Sequence, residues 1–343
     1  MIQLPHNVAY PSARMPKRLN FKHKSRQQVG AALLSAMLTV TLVATFASAA
    51  VWQQFRSVEV ETAERGRQQS WLLLTGALDW ARLILREDAR AGGTDHLGEP
   101  WAIPLKEARL SDFLAANGTS GDVERNAFLS GSITDMQSRL NLANLVEGGV
   151  KSEAGLASFR RLFELLDLQP QAFKTLSENY VLASKLPDGQ TKGSEFLQPQ
   201  RLDQLAWLGS EPEVLALLAP HITILPTRSP VNLNTASALV ISASTPGLAL
   251  IDAERLVLAR VRKPFSSLLE AQQSLNRPDV VFTQDAHSVS TRYFEIMGQL
   301  WLDQLAVSER SLVSRDGLVV STVWRARGAA LEGASSGSTP RSR

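Results

Sequence analysis

The 343-residue sequence predicts an α+β protein with a long N-terminal helix, a helical middle and a C-terminal part rich in strands. Three observations lead to this prediction. Residues 29–52 carry no charge, residues 53–90 lack proline, and after Ala286 β-branched residues alternate with polar ones. With 44% hydrophobic residues, the chain is long enough to form two domains with substantial cores.

The stretch from Val29 to Trp52 is long enough to cross a bilayer, which takes about 20 apolar residues. Residues 1–30 hold six Lys or Arg and no acidic residue. By the positive-inside rule, this leader stays in the cytoplasm and everything after Trp52 lies on the other side of the membrane. The sequence therefore predicts a single-pass anchor.

Three fates of this anchor remain open. Cleavage after Ala49 by a signal peptidase is favoured by the small residues Ala47, Ser48 and Ala49. A plain uncleaved anchor follows from hydropathy alone. The third alternative is cleavage before the apolar run, on its cytoplasmic side.

The anchor is predicted to continue into a helix that ends near Arg90. Apolar residues recur at helical spacing from Phe55 to Leu85, and one face of this part is expected to pack on a globular body. The adjacent carboxylates Glu87 and Asp88 are expected at a solvated helix end rather than as an acid–base pair.

Residues 141–279 are predicted to be mostly helical, with short helices separated by Pro and Gly. Within them, the segment that begins PVNLNTASALV at Pro230 is typical of a helix-hairpin-helix. Asn234 or Thr235 is expected to cap the first helix, Pro246-Gly247 to form the turn, and Asp252 to open a second helix through Val261.

After Ala286 the sequence predicts two or three antiparallel strands around a turn at Asp316-Gly317. The small and polar residues 328–343 are predicted to be a disordered tail.

Composition excludes several kinds of site. The chain contains no cysteine, which excludes disulfides, thiolate zinc sites and cysteine nucleophiles. Without the basic leader, 30 basic residues face 33 acidic ones, which argues against a large nucleic-acid footprint. No Ser/His/Asp order has supporting motifs, and the histidines lack the spacing of metal ligands: His6, His23, His96, His221 and His287.

Two motifs closely resemble the minor pseudopilin K family of type II secretion systems. They read D-H-L-G-E-P-W-A at 95–102 and G-S-I-T-D-M-Q-S-R-L-N-L-A-N-L at 131–145. The family typically has E-x-W-A and then I-x-D-x-Q-x-x-x-N-L-N-x-L, and here Ala143 takes the place of the third letter of N-L-N. The residues assigned to the family motif are Glu99, Trp101, Asp135, Asn141, Asn144, Asn232 and Asn234.

The resemblance implies a pilin-like fold that carries a large inserted all-α domain of the SAM or helix-hairpin-helix kind. A transmembrane and stalk helix would span 31–90, the pilin-like part 91–140 and 280–327, and the insertion 141–279. The leader 1–30 would be removed, because Gly30 before A-A-L-L resembles the site where prepilin peptidase cuts pilin precursors. Cleavage would leave Ala31 as the new N-terminus, with the methylation typical of such proteins.

Ser35 occupies the fifth mature position, where most related proteins carry Glu. In related filaments that Glu is thought to pair with the N-terminal amine of the subunit above it. An unpaired carboxylate in hydrocarbon costs at least ~2.5 kcal/mol, so a subunit with nothing above it is better without one. The resemblance therefore makes Ser35 a feature of a tip subunit.

The resemblance also implies a function that involves no catalysis. The chain would be a minor pseudopilin in a bacterial inner membrane with its body in the periplasm. It would start pseudopilus assembly and cap the tip during export of folded proteins across the outer membrane. Implied partners are minor pseudopilins I and J, pseudopilin H, the major pseudopilin G, prepilin peptidase and the inner-membrane secretion platform, with no nucleic acid.

Members of this family can bind calcium in an acidic loop of the helical domain. The corresponding segment 185–196 has only Asp188 and Glu195, with Lys192 between them. Calcium takes six to eight oxygen ligands, so neither a metal nor another cofactor is expected here.

A membrane-anchored periplasmic DNA receptor with a helix-hairpin-helix is the alternative. In such receptors a Gly-hydrophobic-Gly turn lets backbone amides approach phosphate. Here the turn reads Gly247-Leu248-Ala249, and the acidic residues Asp252 and Glu254 open the next helix. Basic residues follow at Arg255, Arg260, Arg262 and Lys263, but the lost glycine makes a packing role the preferred interpretation.

Overall fold

A computed structural model describes residues 28–112, 127–184, 197–302 and 305–329. Residues 1–27 of the leader, the segment 185–196 and residues 330–343 of the predicted tail lie outside the described residues, whereas Gly328 and Ala329, which were predicted to be disordered, end the last strand. The chain divides into two compact units between Ala63 and Glu64.

The described part of the first unit is helical. Helix α1 spans Gln28–Ala91, so it begins three residues before and ends one residue after the predicted bounds. It is long and apolar enough to cross a membrane, and it is the one such helix among the described residues. The hydroxyls of Ser35, Thr39, Thr41 and Thr45 donate to backbone carbonyls three or four residues earlier. Their polar groups are therefore satisfied within the helix, as a lipid environment requires.

The second unit begins at Glu64 and contains the rest of α1, six further α-helices, four short 3-10 helices and eleven strands among its described residues. The helices are α2 (Glu153–Leu165), α3 (Pro170–Ser184), α4 (Pro212–Leu218), α5 (Ala238–Ser244), α6 (Leu250–Arg262) and α7 (Leu268–Leu275). The strands are β1 (Leu105–Arg109), β2 (Ala127–Asp135), β3 (Leu140–Asn141), β4 (Val146–Glu147), β5 (Val150–Lys151), β6 (Ile222–Thr223), β7 (Val231–Asn232), β8 (His287–Ser288), β9 (Tyr293–Leu302), β10 (Leu305–Asp316) and β11 (Val319–Ala329).

Five of the strands form an antiparallel sheet in the order β1-β2-β9-β10-β11. This sheet confirms the antiparallel strands predicted after Ala286 and the turn at Asp316-Gly317, where Gly317 adopts a positive φ of 55°. One face of the sheet packs against α1, whose buried Leu74 and Leu78 contact Gly298 of β9. A glycine is needed there because a Cβ at 298 would lie 2.8 Å from the Leu74 side chain.

A separate apolar core lies between Leu140 and Phe282, and we call residues 140–282 the helical region. Helices α2, α3, α5 and α6 supply 11 of its 27 buried side chains, and the segments between the helices supply most of the others. The strand pairs β3–β6 and β7–β8 within and beside it are short and parallel. The apolar clusters on the α1 side of the sheet are distinct from this core.

The helix-hairpin-helix forms, but its predicted first cap was wrong. Helix α5 is capped by Ser237, whose hydroxyl accepts from the Val240 amide, rather than by Asn234 or Thr235. Gly247 makes the turn with a φ of 74°, and α6 begins at Leu250, two residues before the predicted Asp252. Asn234 and Thr235 do not cap α5 because tertiary hydrogen bonds occupy their side chains.

Gly155 in α2 gives the first testable prediction. A Cβ at this position would overlap the Asn144 carbonyl, because the helix passes directly against that backbone. We expect Gly155→Ala to lower the free energy of unfolding by about 3 kcal/mol, measured by urea denaturation. Gly76→Ala in α1 is the matched control. Its Cβ meets open space, so stability should stay equal or rise by up to about 1 kcal/mol. Equal effects of the two changes would contradict the packing seen at Gly155.

Candidate functional site

Asp135 is the most connected residue of the predicted motif. It ends β2, and its side chain is only 2% exposed. Its Oδ1 accepts from the Gln137 amide at 2.7 Å. Its Oδ2 accepts from Asn232 Nδ2 at 3.0 Å and from the hydroxyls of Thr235 and Thr291 at 2.5 and 2.7 Å. The carboxylate therefore receives four donors, one from the turn that follows it and three from two distant segments of the chain.

Asn232 and Asn234 extend this arrangement into the helical region. Asn232 Nδ2 also donates to the Asp95 carbonyl, and its Oδ1 accepts from the Asn234 amide. Asn234 in turn binds the backbone of Phe265 in both directions, as donor to the carbonyl and acceptor from the amide, at 2.9 Å each. The two asparagines thus connect the end of β2 to the segment that follows α6.

Arg315 supplies the positive charge on the sheet side. Its guanidinium donates to Asp88 at 2.6 Å, to the Asp95 carboxylate and to the Thr291 carbonyl at 3.0 Å. It also lies 4.7 Å from the centre of the Phe294 ring, a cation–π distance. Asp95 accepts a further hydrogen bond from the Thr291 amide at 2.6 Å. We call the connected set Asp95, Asp135, Asn232, Thr235, Thr291 and Arg315 the polar joint.

The expectation of a solvated helix end at residues 87 and 88 was right for one residue and wrong for the other. The Glu87 side chain is 47% exposed, whereas that of Asp88 is 13% exposed and paired with Arg315. Asp88 lies on the side of α1 that faces β10. Because the Arg315 guanidinium is buried there, the Asp88 carboxylate that pairs with it is buried as well.

Glu99 and Trp101 hold the loop that follows α1. Glu99 Oε2 accepts from Trp101 Nε1 at 2.7 Å and from the His96 amide at 2.9 Å. The buried Trp101 ring meets Phe294 edge-on, with centroids 5.2 Å apart. The first motif therefore fixes its own loop against the ring that also contacts Arg315.

Asn141 and Asn144 form a second cluster, away from the polar joint. Asn141 donates to the Thr227 carbonyl at 2.8 Å and accepts from the Leu225 amide at 3.1 Å. Asn144 binds Ser229 in both directions, at 2.8 Å as donor and 3.0 Å as acceptor. These amides hold the 225–229 segment in place, as paired backbone groups would in a sheet.

The structure gathers Asp135, Asn232 and Asn234 around the polar joint and leaves Gly30, Ala31 and Ser35 in the first unit. Sequence reasoning missed Thr291 and Arg315 and gave Asp95 no role. Asp95 is the first residue of the motif at 95–102. For Thr291 and Arg315, no neighbouring residue in the sequence indicates a role.

Burial dominates the electrostatics of the polar joint. It raises the pKa of Asp135 to about 6, opposed by the four hydrogen bonds that the carboxylate accepts. Burial likewise raises the pKa of Asp95, opposed by Arg315, and that of Glu99. It lowers the pKa of the neighbouring Arg260 to about 10, while the charge of Asp135 acts in the opposite direction. The donors of the polar joint bind acceptors within the chain. The polar joint therefore has a structural role, which is to hold the sheet and the helical region together.

Asp88, Asp95 and Glu99 bring carboxylate oxygens within 4.8 Å of one another beside a polar cavity of about 220 Å³. Arg315 contributes to the same cavity and binds two of these carboxylates. Three carboxylates that already face a guanidinium fall short of the oxygen shell that calcium takes. The three carboxylates and Arg315 therefore form an ion-pair network. The expectation that the chain binds no metal stays a prediction.

Three of the four basic residues of the hairpin pair within the chain, whereas Arg262 is exposed. Arg255 pairs with Asp252, Arg260 is buried and donates to the Leu233 carbonyl, and Lys263 pairs with Glu270. Asp252 remains buried and also receives Arg277. This arrangement favours the packing role over phosphate binding.

Comparison with known proteins gives a consistent set of relatives. The family model for type II secretion system (T2SS), protein K, matches residues 231–290, a range that contains Asn232, Asn234 and the hairpin. The chain is 28% identical over 329 residues to type II secretion system protein K of Pseudomonas aeruginosa, covering 88% of this chain and 90% of that protein.

A solved structure shares the fold. The chain is similar to a chain in the crystal structure of the GspK-GspI-GspJ complex from the type 2 secretion system of enterotoxigenic Escherichia coli. The TM-score is 0.58 at 17% identity, over 78% of this chain and 99% of that one. This similarity confirms the predicted fold class.

Titration of Asp135 gives the second prediction. Its pKa in the folded chain, about 6, exceeds the ordinary value of 3.8, so folding is favoured by protonation. This contribution is fully present below pH 3.8 and is lost as the pH rises through 6. Lowering the pH from 7 to 5 should therefore raise the free energy of unfolding of the wild type by about 1 kcal/mol relative to Asp135→Asn. Urea titrations of both proteins at several pH values measure this, and parallel pH profiles would contradict the assigned environment.

Proposed function

We propose that the chain is a member of the type II secretion system protein K family and that it caps the tip of a pseudopilus. It is a minor pseudopilin of a type II secretion system. In the proposed role it starts assembly in the bacterial inner membrane and remains at the tip while folded proteins are exported across the outer membrane. It performs no catalysis in this role.

Ser35 is the observation that carries the tip assignment. It stands in the apolar part of α1, and its hydroxyl donates to the Ala32 carbonyl at 2.9 Å. The side chain therefore brings no unsatisfied polar group into the membrane. A Glu at this position would need a cationic partner from a subunit above, and without one it would cost at least ~2.5 kcal/mol. A subunit that needs no upper neighbour is suited to the tip.

The helical region supports the same proposal. It forms its own apolar core between Leu140 and Phe282 and is fastened to the sheet by the polar joint. We assign residues 91–140 and 280–327 to a pilin-like domain and 141–279 to the insertion. A head enlarged in this way suits the end of a filament better than an interior position, where neighbours surround each subunit.

We infer the partners from the family. In the related Escherichia coli complex, GspK is assembled with GspI and GspJ, which supports minor pseudopilins I and J as direct partners. Pseudopilin H, the major pseudopilin G, prepilin peptidase and the inner-membrane secretion platform follow from the same role. In this topology residues before Gly30 lie in the cytoplasm and the second unit lies in the periplasm.

Processing of the leader is the first test of this proposal. Coexpression with prepilin peptidase should yield a chain whose N-terminal residue is Ala31, identified by N-terminal sequencing. Gly30→Leu is the control and should keep its leader. A mature N-terminus at Ala50, or an intact leader in the wild type, would instead indicate a secreted protein or a plain anchor.

Position in the filament is the second test. Ser35→Glu should reduce the amount of this subunit recovered with pseudopili by more than tenfold, because ~2.5 kcal/mol is added to its cost in the membrane. Ser57→Glu, in the same helix beyond Trp52, is the matched control and should leave recovery unchanged. Immunogold labelling should mark filament ends. Label along the shaft, or normal incorporation of Ser35→Glu, would refute the tip assignment.

A further inference from the structure

The outer edge of β11 is a long strand edge that lacks a neighbour among the described strands. Proteins usually protect such edges with short strands, proline or charged side chains. β1, at the opposite edge, is five residues long and carries Lys106, Glu107 and Arg109. β11 is eleven residues long, contains no proline, and has a single register shift where it pairs with Leu312 and Val313. The two edges of this sheet are therefore protected to different degrees.

The side chains of β11 favour strand pairing. The described sequence VVSTVWRARGA is rich in β-branched residues and contains no acidic residue. Val319 and Val323 are 64% and 40% exposed. Unpaired backbone groups beside exposed β-branched side chains are the features that bind an added strand.

Charged side chains on the α1 side of β11 give its outer edge a preference for acidic segments. Glu309 of β10 is fully buried and pairs through its two oxygens with the Nε atoms of Arg327, at 2.9 Å, and Arg325, at 3.5 Å. In the strand register Glu309 lies opposite Arg327, whereas Arg325 lies opposite Ser311. One internal carboxylate thus serves two guanidiniums that both belong to the edge strand.

Arg82 of α1 adds a third cation at this edge. It donates to Thr322 of β11 at 3.2 Å and pairs with Asp79. Its pKa is lowered, first by burial and then by the charge of Arg325, while Glu309 acts in the opposite direction. Three arginines therefore face two carboxylates, Glu309 and Asp79, and a positive charge remains beside β11.

We propose that the outer edge of β11 binds an extended segment of another protein chain that carries two carboxylates, spaced two residues apart, opposite Arg325 and Arg327. Alternate residues of a strand point to the same face, so this spacing places both carboxylates beside the two arginines. Backbone hydrogen bonds along the edge supply affinity, and the paired charges select acidic segments over basic ones. The proposal does not depend on the position of the protein in a filament.

Two ten-residue peptides test the binding preference. One alternates Thr and Glu, the other Thr and Lys, and each is added to the full chain in detergent micelles at pH 7. We expect the Glu peptide to bind about tenfold more tightly by fluorescence anisotropy, because two favourable charge pairs replace two repulsive ones. Its advantage should shrink at high salt, which screens exposed charges. Equal affinities, or no binding of the Glu peptide, would overturn the proposal.

Hydrogen–deuterium exchange locates the peptide on the wild-type chain. The Glu peptide should slow exchange of amides in residues 319–329 and leave those of β1, residues 105–109, unchanged. Protection of β1 instead, or of neither edge, would overturn the proposal. This measurement needs no substitution, so it stands even where a variant fails to fold.

A double substitution tests the two arginines. Arg325→Gln with Arg327→Gln should abolish the difference between the peptides. Arg86→Gln with Arg90→Gln, which removes two exposed arginines of α1 near Glu87, is the matched control and should preserve it. Undiminished discrimination by a folded Arg325/Arg327 variant would show that the edge arginines do not select the segment.

Discussion

The buried carboxylate of Asp135 is the constraint on which the second unit depends. A charge without solvent is tolerated only when donors surround it, and here Gln137, Asn232, Thr235 and Thr291 all donate. Those donors come from the turn that follows β2, from the segment before the hairpin and from the segment before β9. Satisfying one side chain therefore requires the sheet and the helical region to adopt one arrangement.

The polar character of this joint has a structural consequence. The core of the helical region and the clusters between α1 and the sheet are distinct, and the apolar contact between the region and the sheet is a small cluster in which Leu225 packs with Met136, Tyr293 and Leu312. Apolar contacts tolerate rotation and sliding, whereas hydrogen bonds weaken steeply when their angles change. Arg315, Asp95 and Thr291 add directional contacts of the same kind. We therefore regard the polar joint as the element that sets orientation, while the two cores supply most of the stability.

The features that the sequence predicts well have local causes. An uncharged run predicts the start of α1, and Asp316-Gly317 and Pro246-Gly247 predict their turns, because in each case adjacent residues determine the backbone. The cap of α5 was wrong because Asn234 and Thr235, both good capping residues, bind Phe265 and Asp135 instead. The bonds from Thr291 to Asp135 and from Arg315 to Asp95 span 156 and 220 positions, and nothing near any of these residues in the sequence marks such pairings.

The residues in which the chain resembles the protein K family therefore serve its folding. The polar groups of the motif form hydrogen bonds inside the chain, as seen for Glu99, Asp135, Asn141 and Asn234. These side chains are therefore unsuited to recognise cargo or partners. Cargo or partners must therefore be recognised by surfaces that lie outside the motif and that the motif holds in position. The long edge of β11 is the surface that we propose for this role, and Arg315 links it to the motif, because Arg315 anchors the end of β10 beside which β11 runs. Resemblance in the motif thus predicts the fold of a relative more securely than the identity of what it binds.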